Sequence, residues 1–151
     1  MRSRKAFTLI VASALSLALA LAGVALAETI RGTQGNDVIP GTTGDDLIVA
    51  KGGNDTVNGD AGNDRIGGGR GNDTLNGDEG DDVIRDKAGT DTVDGGEDND
   101  TIGSRGHQSQ VDTITCGEDA DGLDVDTVWA SKNDVVAADC ENVAFPGKPA
   151  S

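Results

Sequence analysis

Aspartate stands at every ninth position from residue 37 to residue 100: Asp37, Asp46, Asp55, Asp64, Asp73, Asp82, Asp91 and Asp100. Two residues after each comes an aliphatic side chain: Ile39, Ile48, Val57, Ile66, Leu75, Ile84, Val93 and Ile102. Two residues before each comes glycine, at Gly35, Gly44, Gly53, Gly62, Gly71, Gly80 and Gly89, until Asp98 breaks the column. A further glycine column precedes each Asp by five (Gly32, Gly41, Gly59, Gly68, Gly77, Gly95), with Ala50 and Asp86 as its exceptions. A fixed period of this length marks a chain that stacks copies of one small unit.

The chemistry of one nonapeptide says what that unit is. In Thr56-Val57-Asn58 and Thr74-Leu75-Asn76 a single aliphatic lies between polar neighbours. That pattern predicts a three-residue strand with one side chain inward. The remaining six residues are rich in Gly, Asp and Asn, which form turns and tolerate left-handed backbone. Two nonapeptides, 18 residues, then make one coil with a strand on each side, and the eight repeats make about four coils. The expected fold is all-β: a parallel β-roll, that is, a right-handed β-solenoid, with a file of Ile, Val and Leu between two parallel sheets.

Such a core is thin, and the charge opposes it. The chain carries 27 Asp and Glu against 12 Lys and Arg, a net charge of −15. Self-repulsion on this scale destabilises a compact state unless cations offset it. The same balance argues against nucleic acid as a partner, since that affinity comes largely from Lys and Arg on phosphates. With coils 18 residues apart, Asp55 sits over Asp73 and Asp64 over Asp82. Stacked carboxylates are unfavourable without a cation between them. Glycine turns bring backbone carbonyls close and complete an all-oxygen cage. Hard oxygen donors in a flexible loop suit Ca²⁺, several ions in all; zinc and copper prefer softer or imidazole ligands, and Mg²⁺ a smaller octahedral shell.

The columns resemble the RTX family, the hemolysin-type calcium-binding repeats written G-G-x-G-x-D-x-U-x with U aliphatic. "GGGRGNDTLN", Gly67 to Asn76, contains the closest single match, through Gly68, Gly69, Gly71, Asp73 and Leu75. The resemblance runs from Gly32 to about Gly103. It implies a β-roll with Ca²⁺ in the turns, held by the eight Asp carboxylates and by turn carbonyls such as those of Gly53, Gly62, Gly71 and Gly80. The second motif glycine is present only as Gly69 and Gly96; Thr33, Thr42, Lys51, Asp60, Asp78 and Lys87 replace it elsewhere. Asp86 and Asp98 replace other motif glycines, so the last two repeats are expected to bind weakly or not at all. The chain is similar to short secreted bacterial calcium-binding proteins that are nearly all repeat.

The ends read differently. Arg2, Arg4 and Lys5 precede an apolar run that closes on Ala25-Leu26-Ala27. This is the pattern of a signal peptide cleaved after Ala27, residues 1–27, with a retained membrane anchor as the alternative. Loss of Arg2, Arg4 and Lys5 takes the net charge from −15 to −18. The roll is then assigned to 28–103, an irregular β continuation and cap to 104–145, and a tail to 146–151. In the cap, Asp112-Thr113-Ile114, Asp126-Thr127-Val128 and Asp134-Val135-Val136 echo the repeat at uneven spacing. They are expected to extend the sheets and cover the open end. Cys116 and Cys140 are the only cysteines, and an oxidising compartment predicts a disulfide between them. "GEDADGLDVDTV", Gly117 to Val128, lacks the first and twelfth ligands of an EF-hand loop, so Asp119, Asp121 and Asp124 are expected to be a solvated acidic loop.

No catalytic constellation is evident. His107 is the only histidine, Ser104 and Ser109 lack a nucleophile elbow, and the period already accounts for most carboxylates. The sequence therefore predicts a secreted, non-enzymatic Ca²⁺-binding protein, with no membrane contact after leader cleavage. A cell-surface structural or adhesive scaffold merely stiffened by Ca²⁺ is the alternative. A protein or cell-wall partner is not legible.

Overall fold

In the computed structural model the described residues are 8–9, 26–104, 110–117 and 124–145. Most of the expected leader, together with His107, Ser109, Asp119, Asp121 and the tail 146–151, lies outside them. The described residues form two seven-stranded parallel sheets and no helix. One sheet holds β1 (Thr8–Leu9), β3 (Asp37–Thr42), β5 (Thr56–Asp60), β7 (Thr74–Glu79), β9 (Thr92–Glu97), β11 (Thr113–Thr115) and β13 (Val135–Val136). The other holds β2 (Thr29–Arg31), β4 (Leu47–Gly52), β6 (Arg65–Arg70), β8 (Val83–Arg85), β10 (Thr101–Gly103), β12 (Thr127–Trp129) and β14 (Asn142–Ala144).

Successive strands thus alternate between the sheets, and the chain winds as a coil. Each strand pairs in parallel with the one a full coil away: Val57 opposite Leu75, Ile48 opposite Ile66, Ile66 opposite Ile84. This register puts the aliphatics of the repeat into two touching files, and each is no more than 2% exposed from Ile39 to Ile102. The architecture is the parallel β-roll expected, carried further. The repeats supply about four coils, and Ile30, Ile114, Val128, Val136 and Val143 extend the stack to about six turns. The irregular segment is therefore more of the same coil. Its strands keep the register, Ile102 on Val128 and Val93 on Ile114, while longer loops bulge between them.

The strands differ from expectation in length. Several run to six residues and have two inward positions: the aliphatic, and the residue two further on. The second position is Ala50 in β4 and glycine in the others, for a steric reason. A Cβ added to Gly77 would collide with both Asp82 Oδ2 and the Gly95 carbonyl oxygen, well inside any allowed contact. A backbone with no side chain here lets the carboxylate of its own turn and the carbonyl of the next coil share one small space.

Cys116 and Cys140 form a disulfide, and both are buried against the aliphatic file. The bridge ties the chain just past β11 to the last coil.

Candidate metal-binding turns

The coil has two edges of turns. One edge carries Asp37, Asp55, Asp73, Asp91, Asp112 and Asp134; the other carries Asp46, Asp64, Asp82, Asp100 and Asp126. All but Asp134 are 3% exposed or less. Burying ten carboxylates in a thin coil needs a reason, because an unpaired buried charge is costly.

Half of the reason is a ladder of hydrogen bonds. The N–H of each Asp donates to Oδ1 of the Asp one coil further on. Asp37 donates to Asp55, Asp55 to Asp73 and Asp73 to Asp91; on the other edge Asp46 donates to Asp64, Asp64 to Asp82 and Asp82 to Asp100, all at 2.7–3.0 Å. The ladder continues past the regular repeat, from Asp91 to Asp112, Asp100 to Asp126 and Asp112 to Asp134, and ends where Asp126 donates to Glu141 Oε2. A second ladder runs the opposite way. Asn54 N–H donates to Asn36 Oδ1, Asn72 to Asn54 and Thr90 to Asn72, and on the other edge Asn63 donates to Asp45, Asp81 to Asn63 and Asn99 to Asp81. This explains why Asn or Asp precedes the repeated Asp in most repeats.

The other oxygen divides the turns into two kinds. Oδ2 of Asp55, Asp64, Asp73, Asp82, Asp100 and Asp126 is buried and has no hydrogen-bond partner. Towards the ends of the stack, hydroxyl-bearing residues take its place. Asp37 Oδ2 accepts from the Thr33 N–H and hydroxyl, and Asp46 Oδ2 from the Thr42 N–H at 2.7 Å and hydroxyl at 3.0 Å. Ser104 Oγ lies 2.6 Å from Asp112 Oδ2, and the Ser131 N–H donates to Asp134 Oδ2 at 2.7 Å. In the first turn a cation is already present: Lys51 Nζ donates to the Gly32 carbonyl at 2.5 Å. Asp86, which breaks the glycine column, joins Asp91 and Asp112 so that one carboxylate oxygen from each lies within 4.8 Å of the others.

The electrostatics follow the orphaned oxygens. Loss of water on burial is the largest influence on each of these carboxyls. It is opposed by the ladder hydrogen bond and reinforced by neighbouring carboxylates. It pushes Asp64, Asp73 and Asp126 up to about 6, Asp82 to about 7 and Asp100 to about 8. Asp55 and Asp91 are raised for the same reason.

The left-handed turn backbone survives at four of the departures from the glycine pattern, though not at Thr33, Thr42 or Lys87. Gly62 has φ +115°, and Lys51, Asp60, Asp78 and Asp98, which stand where the motif has glycine, adopt +81°, +78°, +74° and +75°. Left-handed backbone is unfavourable for such residues and persists only where the surroundings enforce it. Here the stacked neighbours enforce it, so these departures from the glycine pattern leave the turn shape intact.

The donors fit a hard cation. The nearest polar atoms at Gly77 and Gly59 are oxygens: Asp82 Oδ2 with the Gly95 carbonyl, and Asp64 Oδ2 with the Gly77 carbonyl. Sequence reasoning placed the eight repeat aspartates in these turns, and the structure brings them together in two files. It missed Asp112, Asp126, Asp134 and Glu141 as continuations of the files, though the Asp-x-aliphatic echoes were there to find them. It also missed the closing role of Thr33 and Thr42. The carbonyls beside the bare carboxylates include those of Gly77, Gly95 and Cys116. The Gly53, Gly62 and Gly71 carbonyls, named in the sequence analysis, face the turn glycines of the next coil, Gly71, Gly80 and Gly89.

Fold and turns together define a class: a β-solenoid whose edges are files of buried, partly unsatisfied carboxylates. The model of the RTX calcium-binding nonapeptide repeat matches residues 23–39, 40–75 and 67–102, in four copies. The chain belongs to that family of calcium-binding repeats. It matches no curated protein and no solved structure.

Proposed function

We propose that this is a secreted, non-catalytic calcium-binding protein whose roll closes when Ca²⁺ enters the interior turns. The observation that carries the reading is the row of buried Oδ2 atoms without partners on Asp55, Asp64, Asp73, Asp82, Asp100 and Asp126, in a chain of net charge −15. A divalent cation there offsets the buried charge and the repulsion between coils in one step. Asp91, helped by Asp86 and Asp112, is a further ligand. Asp37 and Asp46 already have their second oxygen bonded to threonine, so they contribute through the ladder more than through metal. Secretion is supported by the basic, apolar and Ala-Leu-Ala pattern of residues 1–27 and by the paired cysteines.

Far-UV circular dichroism and titration calorimetry test the reading. Ca²⁺ is expected to raise strand content with a midpoint on the order of 10⁻⁴–10⁻³ M, as extracellular sites do, and Mg²⁺ to do so poorly. Equal responses to the two ions would mean that the acidic chain is only being screened.

A further inference from the structure

The two outer faces of the roll carry opposite charge. On the sheet containing β4, β6 and β8, the outward side chains include Arg31, Lys51, Arg65, Arg70 and Arg85, and Lys87 follows directly. Among the described residues no outward position of that sheet is acidic. Leu47, Val49 and Val83 lie between these cations along a trough of about 670 Å³. On the opposite sheet the outward side chains include Asp60, Asp78, Glu79, Asp94 and Glu97, and none described is basic. They border a trough of about 580 Å³ whose remaining walls are Asn58, Asn76 and glycine. Half of the 12 Lys and Arg of an acidic chain have been gathered on one face.

We propose that the basic face is a docking surface for the acidic face of a second copy of this chain. Three observations favour that occupant. The troughs are of similar size and are built on the same coils, so their charges repeat at the same strand spacing of about 4.8 Å. Contact between two like faces is repulsive, so the only attractive pairing is head to tail, a heterologous arrangement that extends instead of closing. A foreign polyanion would satisfy the basic face alone. A second copy uses both faces. The inference rests on the fold and not on the metal reading.

Analytical ultracentrifugation of the protein recovered from a secreting host tests it, with and without Ca²⁺. Circular dichroism of the same samples identifies those in which the roll is folded. At about 0.01 M ionic strength, where charges act over roughly 30 Å, the folded protein is expected to sediment at twice the monomer mass or more. At about 1 M, where they act over roughly 3 Å, it should be monomeric. Charge reversal on either face alone, R65E with R85E or D94K with E97K, should give monomers. Mixing the two variants should restore association, because each retains the face the other needs. A folded wild type that stays monomeric at low ionic strength overturns the proposal. So does an R65E/R85E variant that still associates, which would point to ions bridging acidic faces, or a mixture that does not recover. A chain without strand signal in either buffer overturns the fold and the proposal with it.

Discussion

Replacing a buried aspartate by asparagine should have opposite consequences at Asp82 and Asp46. Asp82 uses one oxygen, Oδ1, to accept the Asp64 N–H at 2.7 Å, and its other oxygen is buried without a partner. Burial holds its carboxyl at about 7 against an ordinary 3.8. That displacement of about three pH units corresponds to about 4 kcal/mol that the metal-free roll loses by ionising this group near neutral pH. An amide in place of this carboxylate keeps the acceptor and removes the charge, and the Gly95 carbonyl borders the space its NH₂ would fill. Allowing for an imperfect amide fit, Asp82→Asn should stabilise the metal-free protein by about 2–4 kcal/mol. It should also weaken the response to Ca²⁺, because a ligand is gone. At Asp46 both oxygens accept: Oδ1 from the Glu28 N–H at 2.7 Å, Oδ2 from the Thr42 N–H and hydroxyl. Whichever way an amide is turned at this position, its NH₂ faces an N–H donor, of Glu28 or of Thr42. Asp46→Asn should therefore cost roughly 1–3 kcal/mol with or without Ca²⁺. Urea titrations followed by far-UV circular dichroism, in chelator and in Ca²⁺, read both variants. If Asp82→Asn destabilises the protein in chelator as Asp46→Asn does, the unpartnered Oδ2 is not the seat of the buried charge, and the division of turns into bare and closed is wrong.

Three further outcomes are expected. Because Asp64, Asp73, Asp82, Asp100 and Asp126 are raised to between about 6 and 8, their favourable contribution is complete below the unfolded value of 3.8 and is lost as pH rises through the folded values. Metal-free protein should thus gain strand signal as pH falls from 8 to 4, and acid unfolding in chelator would contradict this. Reduction of the Cys116–Cys140 bridge, whose cysteines are 24 residues apart, should lower stability by about 3–4 kcal/mol, read as a urea midpoint with and without reductant. Ile84→Ala, at a fully buried site between Ile66 and Ile102, should cost roughly 2–5 kcal/mol, whereas Leu47→Ala on the exposed face should cost less than about 0.5 kcal/mol in the same denaturation assay.

The architecture was legible because one constraint repeats. The Asp column and the aliphatic column are locked two residues apart, so a single register satisfies both, and the structure keeps it at every coil from Ile39 to Ile102. The sheet continuation at Asp112, Asp126 and Asp134 was legible for the same reason. What escaped was chemistry that does not repeat. Thr33 and Thr42 look like faulty glycines in a column, but their hydroxyls do at the chain's beginning what an ion would do further along. Lys51 looks like a misplaced charge until the neighbouring coil sets Gly32 against its ammonium group. Asn54 and Asn63 repeat in plain view, yet nothing in composition tells a turn former from a rung of a hydrogen-bond ladder. The strand length was misjudged because glycine reads as turn, and only the packing of Asp82 and Gly95 around Gly77 shows it to be an inward strand position.

The aspartate ladder gives the stack a direction. Each coil's amide is closed by the carboxylate of the coil that follows it in the chain: Asp64 by Asp82, Asp82 by Asp100, Asp100 by Asp126, and Asp126 by Glu141. A chain that emerges from a membrane pore with its N-terminus first always trails one unfinished coil, whose missing acceptor is still inside. If the chain is exported N-terminus first, as proposed above, each coil would be sealed by its successor until Glu141 supplies the final acceptor and the disulfide fastens the end. A chain cut after Gly103 would keep its regular repeats and leave the Asp91 and Asp100 amides without their acceptors, Asp112 and Asp126. The unevenly spaced C-terminal segment is, in that sense, the latch of the roll, and its absence should be felt in amide hydrogen exchange at Asp91 and Asp100 before it is felt anywhere further back.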